Sequence, residues 1–326
     1  MPDPSAPLPE AESLDEFPPP FAGLEVEIGA VALGTSRLVG ASLDATIDLL
    51  EAAADAGVTL IETADVWGFD LDGATDASPD GEPGSVGPGF GAVEELLGQV
   101  FVEVPDLRNR LVLSTKGGVF PPLPYDSSAD YLRQACEASL YRMGVDVIDL
   151  YQVHRPDLLA HPEEVAEVLT DLRAAGKVRE VGVANHSSSQ IQALQSFLDF
   201  PLVSAQMRFS ALQLGALVDG TLDLAMEFGL TPLAWSPFGG GDLVGVPKGK
   251  KAVVIAEVCD RIAAEQDTTR AAVLLAWLMH HPAGVIPIVA TSSVVHLREC
   301  AAAAEVGFSR QQWYEVLIAA RGQAMP

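Results

Sequence analysis

The sequence predicts an α/β fold: a closed (β/α)8 barrel, the TIM-barrel architecture, with extra helices at its C-terminal end. Short apolar runs alternate with amphipathic helical patterns over most of the 326 residues, which favours a parallel sheet with crossover helices. Eight such runs can be counted, and eight strand–helix units in one chain are typical of a closed barrel. The G-x-G-x-x-G pattern of an open dinucleotide-binding sheet follows none of these runs.

The eight apolar runs are interpreted as strands because each is short and is followed by a polar or glycine-containing segment. Such runs are typical of strands that are covered on both faces. The predicted strands are Ile28–Leu33, Val58–Ile61, Leu111–Ser114, Val147–Val153, Val178–Ala184, Leu202–Ala205, Leu230–Ala234 and Gly284–Val289.

Start and stop residues mark the helices between the strands. Ser42 is a predicted N-cap, and Gly57 ends the helix that follows it. Pro162 stands where a first helical residue is favoured. After that first helix, the predicted helical segments are Gly91–Val102, Ala129–Arg142, Pro162 to Gly176, Ser187–Leu198, Leu217–Phe228, Ala252–Gln266 and Thr268–His280, with two more that begin at Val294 and Ser309.

The composition excludes several classes of partner. Acidic residues number 45 against 19 basic ones, a net charge of −26, so neither nucleic acid nor an anionic membrane is an expected partner. Three cysteines, Cys136, Cys259 and Cys300, have no metal-ligand spacing, and we expect no metal site. They are interpreted as small buried side chains in a reducing compartment. The sequence does not predict an oligomeric state.

Two segments lack helical or strand patterns. Residues 1–24 are acidic and Pro-rich, without the features of a signal peptide, and are predicted to be a disordered tail before a barrel of residues 25–326. We therefore expect a cytoplasmic protein. Residues 69–90 are rich in Gly, Asp and Pro, and loops of this length tend to be lids or disordered insertions. A mobile flap over the barrel mouth and a disordered surface loop both fit.

Polar or aromatic residues occur at six successive strand ends: Glu62, Lys116, His154, Asn185, Gln206 and Trp235. Any one of them alone is readily explained as a surface charge or a structural side chain. Six at the carboxyl ends of parallel strands converge on one rim of a barrel, where barrel enzymes place their chemistry. A carboxylate, a lysine and a histidine together suit proton delivery to a carbonyl oxygen.

Several segments carry a family resemblance, in order and in spacing. They are GVTLIETADVWG, LVLSTKGG, DLYQVHRPD, GKVREVGVAN, AQMRFS, LAWSPFGGG and IPIVATSS. Over residues 25–326 the chain resembles the aldo-keto reductases, and HRPD, DGTLD, AWSPFGGG and RQQW resemble their bacterial YdhF-like oxidoreductase branch. The resemblance implies a (β/α)8 barrel and an oxidoreductase that binds NADP(H) without a Rossmann fold. Hydride would pass between the nicotinamide and a small-molecule carbonyl or alcohol substrate.

The family's catalytic tetrad of Asp, Tyr, Lys and His corresponds to Glu62, Trp67, Lys116 and His154. Glutamate keeps the negative charge that pairs with Lys116. Trp67 replaces the tyrosine that acts as general acid in the family, and an indole N–H donates a hydrogen bond but is not a usable proton source. The expected cost is about 10²–10⁴-fold in rate.

Three routes around this loss are open. His154 acts as the acid, Asp65 or a carboxylate of the 69–90 loop delivers a proton through water, or the substrate needs no acid. Tyr151 lies three residues before His154, on the opposite face of the strand, and is not expected to substitute.

The resemblance also implies a set of cofactor-binding residues. Ala184 stands where the family has a serine, and His296 stands where many members have an arginine for the 2′-phosphate. NADP(H) is therefore favoured and NAD(H) stays open. The residues implied to bind the cofactor are Gly34, Thr35, Asn185, Gln206, Trp235, Ser236, Phe238, Gly239, Gly240, Thr291, Ser292, Ser293, His296 and Arg298.

Two alternatives to an atypical reductase remain. Trp67 and Ala184 also fit a pseudoenzyme, a nicotinamide-binding sensor or partner subunit that has lost its chemistry. Lys116 at a barrel mouth also fits a lyase or isomerase that forms a Schiff base with its substrate.

Overall fold

The computed structural model describes residues 21, 24–69, 89–121 and 123–325, and eight parallel strands close a barrel within them. Each strand pairs with the next one in the chain, and β8 pairs with β1. The predicted fold class is thus confirmed. The strands are β1 Ala32–Gly34, β2 Leu60–Glu62, β3 Val112–Gly117, β4 Ile148–Val153, β5 Val178–Ala184, β6 Ser204–Arg208, β7 Thr231–Trp235 and β8 Ile286–Ala290.

Strand register brings the predicted polar residues to the same end of the barrel. Glu62 lies opposite Gly34 on one side and Ser114 on the other. Further round the barrel, Lys116 lies opposite Gln152. Because all the strands are parallel, these side chains end up on the rim formed by the carboxyl ends.

Eleven α-helices surround this barrel in the described residues. Ser42 accepts a hydrogen bond from the Ala45 N–H, as its predicted N-cap position requires. The helices are α1 Leu43–Asp55, α2 Ala92–Glu103, α3 Pro105–Arg108, α4 Ala129–Met143, α5 Pro162–Ala174, α6 Ser188–Gln195, α7 Thr221–Phe228, α8 Lys250–Glu265, α9 Arg270–Met279, α10 Val294–Ala301 and α11 Arg310–Arg321.

Three helices differ most from the prediction, and of these α6 ends at Gln195, three residues before the predicted Leu198. The one-turn helix α3 was missed, because four residues are too few to show a helical period. Helix α7 begins at Thr221 and not at Leu217, since Gly220 takes a left-handed conformation (φ 82°) and a separate 3₁₀ turn covers Gly215–Leu217.

The apolar core has two layers. The larger one lies between the strands and the helices, and it includes Tyr151, which faces helix α4 as its position on the strand predicted. A smaller cluster fills the lower half of the barrel, with Leu60, Leu150 and Leu233 around Phe21. Phe21, which falls within the predicted tail of residues 1–24, is buried in this cluster. Residues 1–20, 22 and 23 lie outside the described residues.

The 69–90 loop was predicted to be a flap or a disordered insertion, and its residues 70–88 lie outside the described residues. At its far end, Phe90 makes an edge-to-face contact with Phe120, with ring centroids 6.5 Å apart. Phe90 also lies under the guanidinium of Arg142. Within the described chain, no helix combines the length and the apolar character needed to cross a membrane.

The three cysteines are free and buried, as predicted. Desolvation in the core raises the pKa of each thiol to about 12, so they are unreactive at neutral pH.

Candidate active site

A cavity of about 430 Å³ opens at the carboxyl ends of the strands. Most of the predicted site residues line it: Gly34, Glu62, Trp67, Lys116, His154, Asn185, Gln206, Trp235, Ser236, Phe238, Gly240, Thr291, Ser292 and His296. Four predicted residues lie outside its lining: Thr35, Gly239, Ser293 and Arg298. The prediction missed eight others: Ser36, Arg37, Arg155, Pro237, Gly241, Val244, Ile288 and Ala290.

Glu62 and Lys116 form a buried ion pair at the floor of the cavity. Lys116 is 1% exposed, and its ammonium donates to Glu62 Oε1 and to the carbonyl oxygen of Thr63. A β-carbon on Gly34 would lie 3.2 Å from Glu62 Oε2 and 2.9 Å from Ile288. Glycine at position 34 therefore leaves room for a glutamate in place of the shorter aspartate.

A chain of buried amides holds the carboxylate. Gln206 donates its Nε2 to Glu62 Oε1 at 3.0 Å, and Gln152 donates to Gln206 Oε1 at 3.2 Å and to Ser114 Oγ at 3.1 Å. Gln152 was not among the predicted site residues, although a glutamine inside the apolar strand IDLYQV was a visible signal. Gln206, predicted to bind the cofactor, also positions Glu62.

The ring of Trp67 lines the cavity, but its N–H group is buried in the protein. The indole nitrogen is buried and has no hydrogen-bond partner among the described residues. The ring meets His154 edge-on with centroids 5.8 Å apart, and Lys116 Nζ lies 5.9 Å from its centroid. The side chain thus packs against two predicted catalytic groups without offering a donor to the cavity.

His154 is an uncharged imidazole in this setting. Burial lowers its pKa well below 6.5, and the charges of Lys116 and Arg155 lower it further. Its Nδ1 is buried without a partner among the described residues, which leaves Nε2 as the nitrogen available to the cavity. A neutral imidazole with its proton on Nε2 donates one hydrogen bond but does not supply a proton at neutral pH. The first predicted route, acid catalysis by His154, is therefore not supported.

A second buried carboxyl lies behind the site. Asp65 is fully buried, neither of its carboxyl oxygens has a described partner, and burial together with Glu94 raises its pKa well above 3.8. Glu94 itself is paired with Arg142 at 2.6 Å and accepts from Thr115 at 2.6 Å. Asp65 does not line the cavity, so a proton on it has no direct contact with a substrate there.

In the adjacent part of the cavity, Asn185 links the Trp235 indole to the backbone of His154 by two hydrogen bonds. Trp235 Nε1 donates to Asn185 Oδ1 at 2.9 Å, and Asn185 Nδ2 donates to the backbone carbonyl of His154 at 3.1 Å. Asn185 adopts a left-handed backbone (φ 60°), which asparagine tolerates better than most residues. Arg208 covers the far face of the Trp235 ring at 5.3 Å.

Farther along, the backbone forms a cradle after strand β7. Ser236 and the three glycines that follow Phe238 all have positive φ, with 62°, 78° and 98° for Gly239, Gly240 and Gly241. The N–H groups of Gly239 and Gly241 donate inside this turn, to the carbonyl oxygens of Ser236 and Phe238. Gly240 and Gly241 line the cavity without a side chain, which leaves room for the predicted cofactor to approach the backbone closely.

The end of the cavity lies at the first turn of helix α10. His296 stacks at a tilt on Phe238, with centroids 5.8 Å apart, and its Nδ1 lies 3.4 Å from Thr291 Oγ1. Ser293, predicted to meet the cofactor, instead caps α10 by accepting from the His296 N–H at 3.3 Å. Arg298 is exposed and lies outside the cavity lining.

Two arginines lie at the mouth. Arg37 and Arg155 both line the cavity, and neither is paired with a carboxylate among the described residues. Their guanidinium groups give the mouth a local positive charge in an otherwise acidic chain. The signal for Arg155 was its position beside His154 in HRPD.

Known proteins share this sequence and this fold. The family model for the aldo/keto reductase family matches residues 26–320. A 6-dehydroglucose reductase from Novosphingobium aromaticivorans is 45% identical over 300 residues, covering 92% of this chain and 90% of that protein. Oxidoreductase YdhF from Escherichia coli is 32% identical, covering 72% and 80%.

Among solved structures, an aldo/keto reductase from Klebsiella pneumoniae in complex with NADP and acetate matches with a TM-score of 0.71. Its sequence identity is 25%, and the match covers 89% of this chain and 90% of that one. The chain belongs to the aldo/keto reductase family, which confirms the resemblance found in the sequence.

Proposed function

We propose that this member of the aldo/keto reductase family transfers hydride between NADP(H) and the carbonyl carbon of a small, hydroxyl-rich aldehyde. The observation that carries the proposal is the continuity of one cavity. It runs from the Glu62–Lys116 ion pair and His154, past Trp235, to the glycine cradle and His296. A dinucleotide needs such a path, with a polar floor at one end and an anion site at the other.

The residues of the cavity fit the cofactor. Gly240 and Gly241, which have no side chains, would let the pyrophosphate lie close to the backbone, and Trp235 would stack on the nicotinamide ring. When bound, NADPH would supply the hydride. His296 would contact the adenosine phosphate, so NADPH is the proposed cofactor, with NADH as a weaker alternative.

The chain's own groups would hold the carbonyl oxygen. His154 Nε2–H would donate to it, and the Lys116 ammonium, fixed by Glu62, would stabilise the charge that develops on it. Both positions are rigid, because each side chain is more than nine-tenths buried. A preorganised donor and cation of this kind are the usual source of rate enhancement in carbonyl chemistry.

The proposed substrate class rests on a similar protein of described activity and on the two arginines at the mouth of the cavity. A relative that matches 92% of this chain is a 6-dehydroglucose reductase, so an oxidised sugar with a terminal aldehyde is the proposed substrate. Arg37 and Arg155 suit this class, because guanidinium N–H groups can bind several hydroxyl oxygens at once. We place the reaction in the cytoplasm, whose reducing conditions suit three free cysteines.

The test is NADPH oxidation with 6-dehydroglucose and with simple aldehydes that lack hydroxyl groups, with the alcohol product identified by mass spectrometry. We expect turnover of the sugar aldehyde at a higher kcat/KM than the simple aldehydes. Arg155→Ala should raise KM for the sugar and leave the simple aldehydes within about twofold. NADPH consumption without an alcohol product would contradict the proposal.

A second candidate is a nicotinamide-binding protein without turnover, and the enclosed N–H of Trp67 favours it. It predicts tight NADPH binding, measured by fluorescence titration, with no oxidation by any aldehyde. The Schiff-base alternative is not proposed, because Lys116 is engaged as an ion-paired donor and not held as a free amine.

A further inference from the structure

The reduction proposed above requires a proton on the carbonyl oxygen, and the tyrosine that supplies it in the family is Trp67 here. The inference below rests on that proposed function. The donor must line the cavity near His154 and must carry a proton that it can release. Among the described residues that line the cavity, the ionisable side chains near His154 are Glu62, Lys116 and Arg155.

The indole of Trp67 fails on two grounds. Its N–H is enclosed, so it does not reach a substrate oxygen in the cavity. An indole also does not release its proton in water near neutral pH. What the ring does provide is an apolar wall, with its centroid 5.9 Å from Lys116 Nζ.

The other neighbours fail as well. Glu62 is the acceptor for the Lys116 ammonium and for Gln206 Nε2, which is the role of a carboxylate and not of a proton donor. Burial keeps His154 neutral, and the guanidinium of Arg155 does not deprotonate. Asp65, Tyr131 and Tyr151 carry protons, since burial raises the pKa of each, but none of the three lines the cavity.

We propose that Lys116 is the proton donor of this site, acting directly on the substrate oxygen. Its ammonium has three N–H groups, of which two are bound by Glu62 and by the Thr63 carbonyl. The third has no acceptor among the described residues, and Lys116 lines the cavity. Glu62, one methylene longer than the family's aspartate, holds the ammonium in place, and Gln206 fixes Glu62 in turn.

The step balances without another reactant. The carbonyl carbon receives the hydride, and the electron pair of the C=O π bond moves to oxygen. That oxygen takes a proton from Lys116, whose N–H bond breaks and leaves a neutral amine. After the alcohol departs, the amine takes up a proton from the bulk solution through the open cavity, which supplies the one proton that each reduction consumes, and Glu62 again pairs with an ammonium.

A double-mutant cycle tests the assignment. Lys116→Arg keeps a cation that does not release a proton, and Trp67→Tyr restores the family's acid. With Trp67 present, Lys116→Arg should lower the single-turnover rate of reduction by about 100-fold or more. In the Trp67→Tyr background the same change should cost less than about tenfold, because the phenol then supplies the proton.

Equal costs in the two backgrounds would overturn the proposal, because a residue that only holds Glu62 would be missed equally in both. Folding is checked by NADPH affinity. If Lys116→Arg does not fold, the Lys116→Met/Glu62→Gln pair removes both charges together and replaces it in the cycle. If the wild type does not reduce the aldehyde and Trp67→Tyr does, the proposal is overturned, and the chain is a reductase that has lost its acid. If neither the wild type nor Trp67→Tyr reduces the aldehyde, the proposed function is refuted, and the inference with it.

A readout that needs no turnover comes from ¹⁵N NMR of the lysine side chains. The chain has five lysines, and the Lys116 signal is identified by its loss in Lys116→Arg. An ammonium signal at pH 7 with NADPH bound is expected. A neutral amine there would contradict the assignment, and so would a borohydride-trapped adduct of an aldehyde on Lys116, since an amine that forms an imine is not the acid.

Discussion

The chemical end of the cavity and its phosphate end are built from different kinds of groups. At the phosphate end the wall is a run of positive-φ glycines, in which the Gly239 and Gly241 N–H groups bond within the turn. At the chemical end they are side chains, an ion pair and a neutral imidazole, each buried and each dependent on its neighbours. Departures from the family's residues at Ala184 and His296 leave the glycine turn intact. At the chemical end, the single departure at Trp67 means that another residue must supply the proton to the carbonyl oxygen.

Breaking the ion pair should have the largest effect and should spare the phosphate end. Glu62→Gln leaves the Lys116 ammonium buried without a counter-charge, which typically costs about 3–5 kcal/mol. We expect a large fall in Tm and loss of reduction. Folded Glu62→Gln should still bind NADPH within a few-fold of wild type. Glu51→Gln, at an exposed position of helix α1, is the control. An unchanged Tm would mean that the pair contributes nothing.

Restoring the family's acid should change the chemical end alone. Trp67→Tyr should raise the reduction rate by up to about 100-fold, because a positioned phenol is a better acid than the groups now present. The dissociation constant for NADPH, from fluorescence titration, should stay within about twofold. A change in NADPH affinity with no gain in rate would show that the two ends are not separable.

At the phosphate end, one side chain should set the cofactor preference. His296→Ala should weaken NADPH binding about tenfold, the loss of one charge-assisted hydrogen bond, and leave NADH nearly unchanged. His296→Arg should strengthen the binding of NADPH. Arg298→Ala is the matched control, since Arg298 lies two residues on, exposed and outside the cavity lining. Equal losses in His296→Ala and Arg298→Ala would remove His296 from the assignment.

The smallest effect concerns stability behind the chemical end. Folding raises the pKa of Asp65, so between the unfolded value near 3.9 and the raised value the folded chain binds more protons. Stability therefore falls as pH rises through that window, and Asp65→Asn removes the loss. We expect Tm to rise by roughly 2 °C or more at pH 7, and the gain to vanish below about pH 4. Asp48→Asn, exposed on helix α1, should show neither change.

The sequence predicted the barrel well, because each strand is an apolar run followed by a polar or glycine-containing segment. The first strand was predicted too early, at Ile28–Leu33, whereas β1 is Ala32–Gly34. The range Val178–Ala184 was predicted to the residue. It did not predict that Phe21 fills the lower end of the barrel, since a single phenylalanine in a Pro-rich stretch has no periodicity. The short helix Pro105–Arg108 was missed for the same reason.

Prediction was less complete at the site. The strand ends and the family motifs gave the residues that line the cavity, but not how those side chains bond to one another. That Trp67 turns its N–H away, that Gln152 supports Gln206, and that Ser293 caps a helix all depend on side-chain conformation. The spacing of residues in the sequence carries no information on side-chain conformation.

Asn185 has a consequence for redesign. Its amide joins the Trp235 indole to the backbone of His154, so one residue sets the distance between the aromatic wall and the imidazole. An engineer who wants another coenzyme can vary position 296 freely, because its neighbours are a helix cap and an aromatic face. Position 185 offers no such freedom: removing its amide would alter the coenzyme side and the substrate side together.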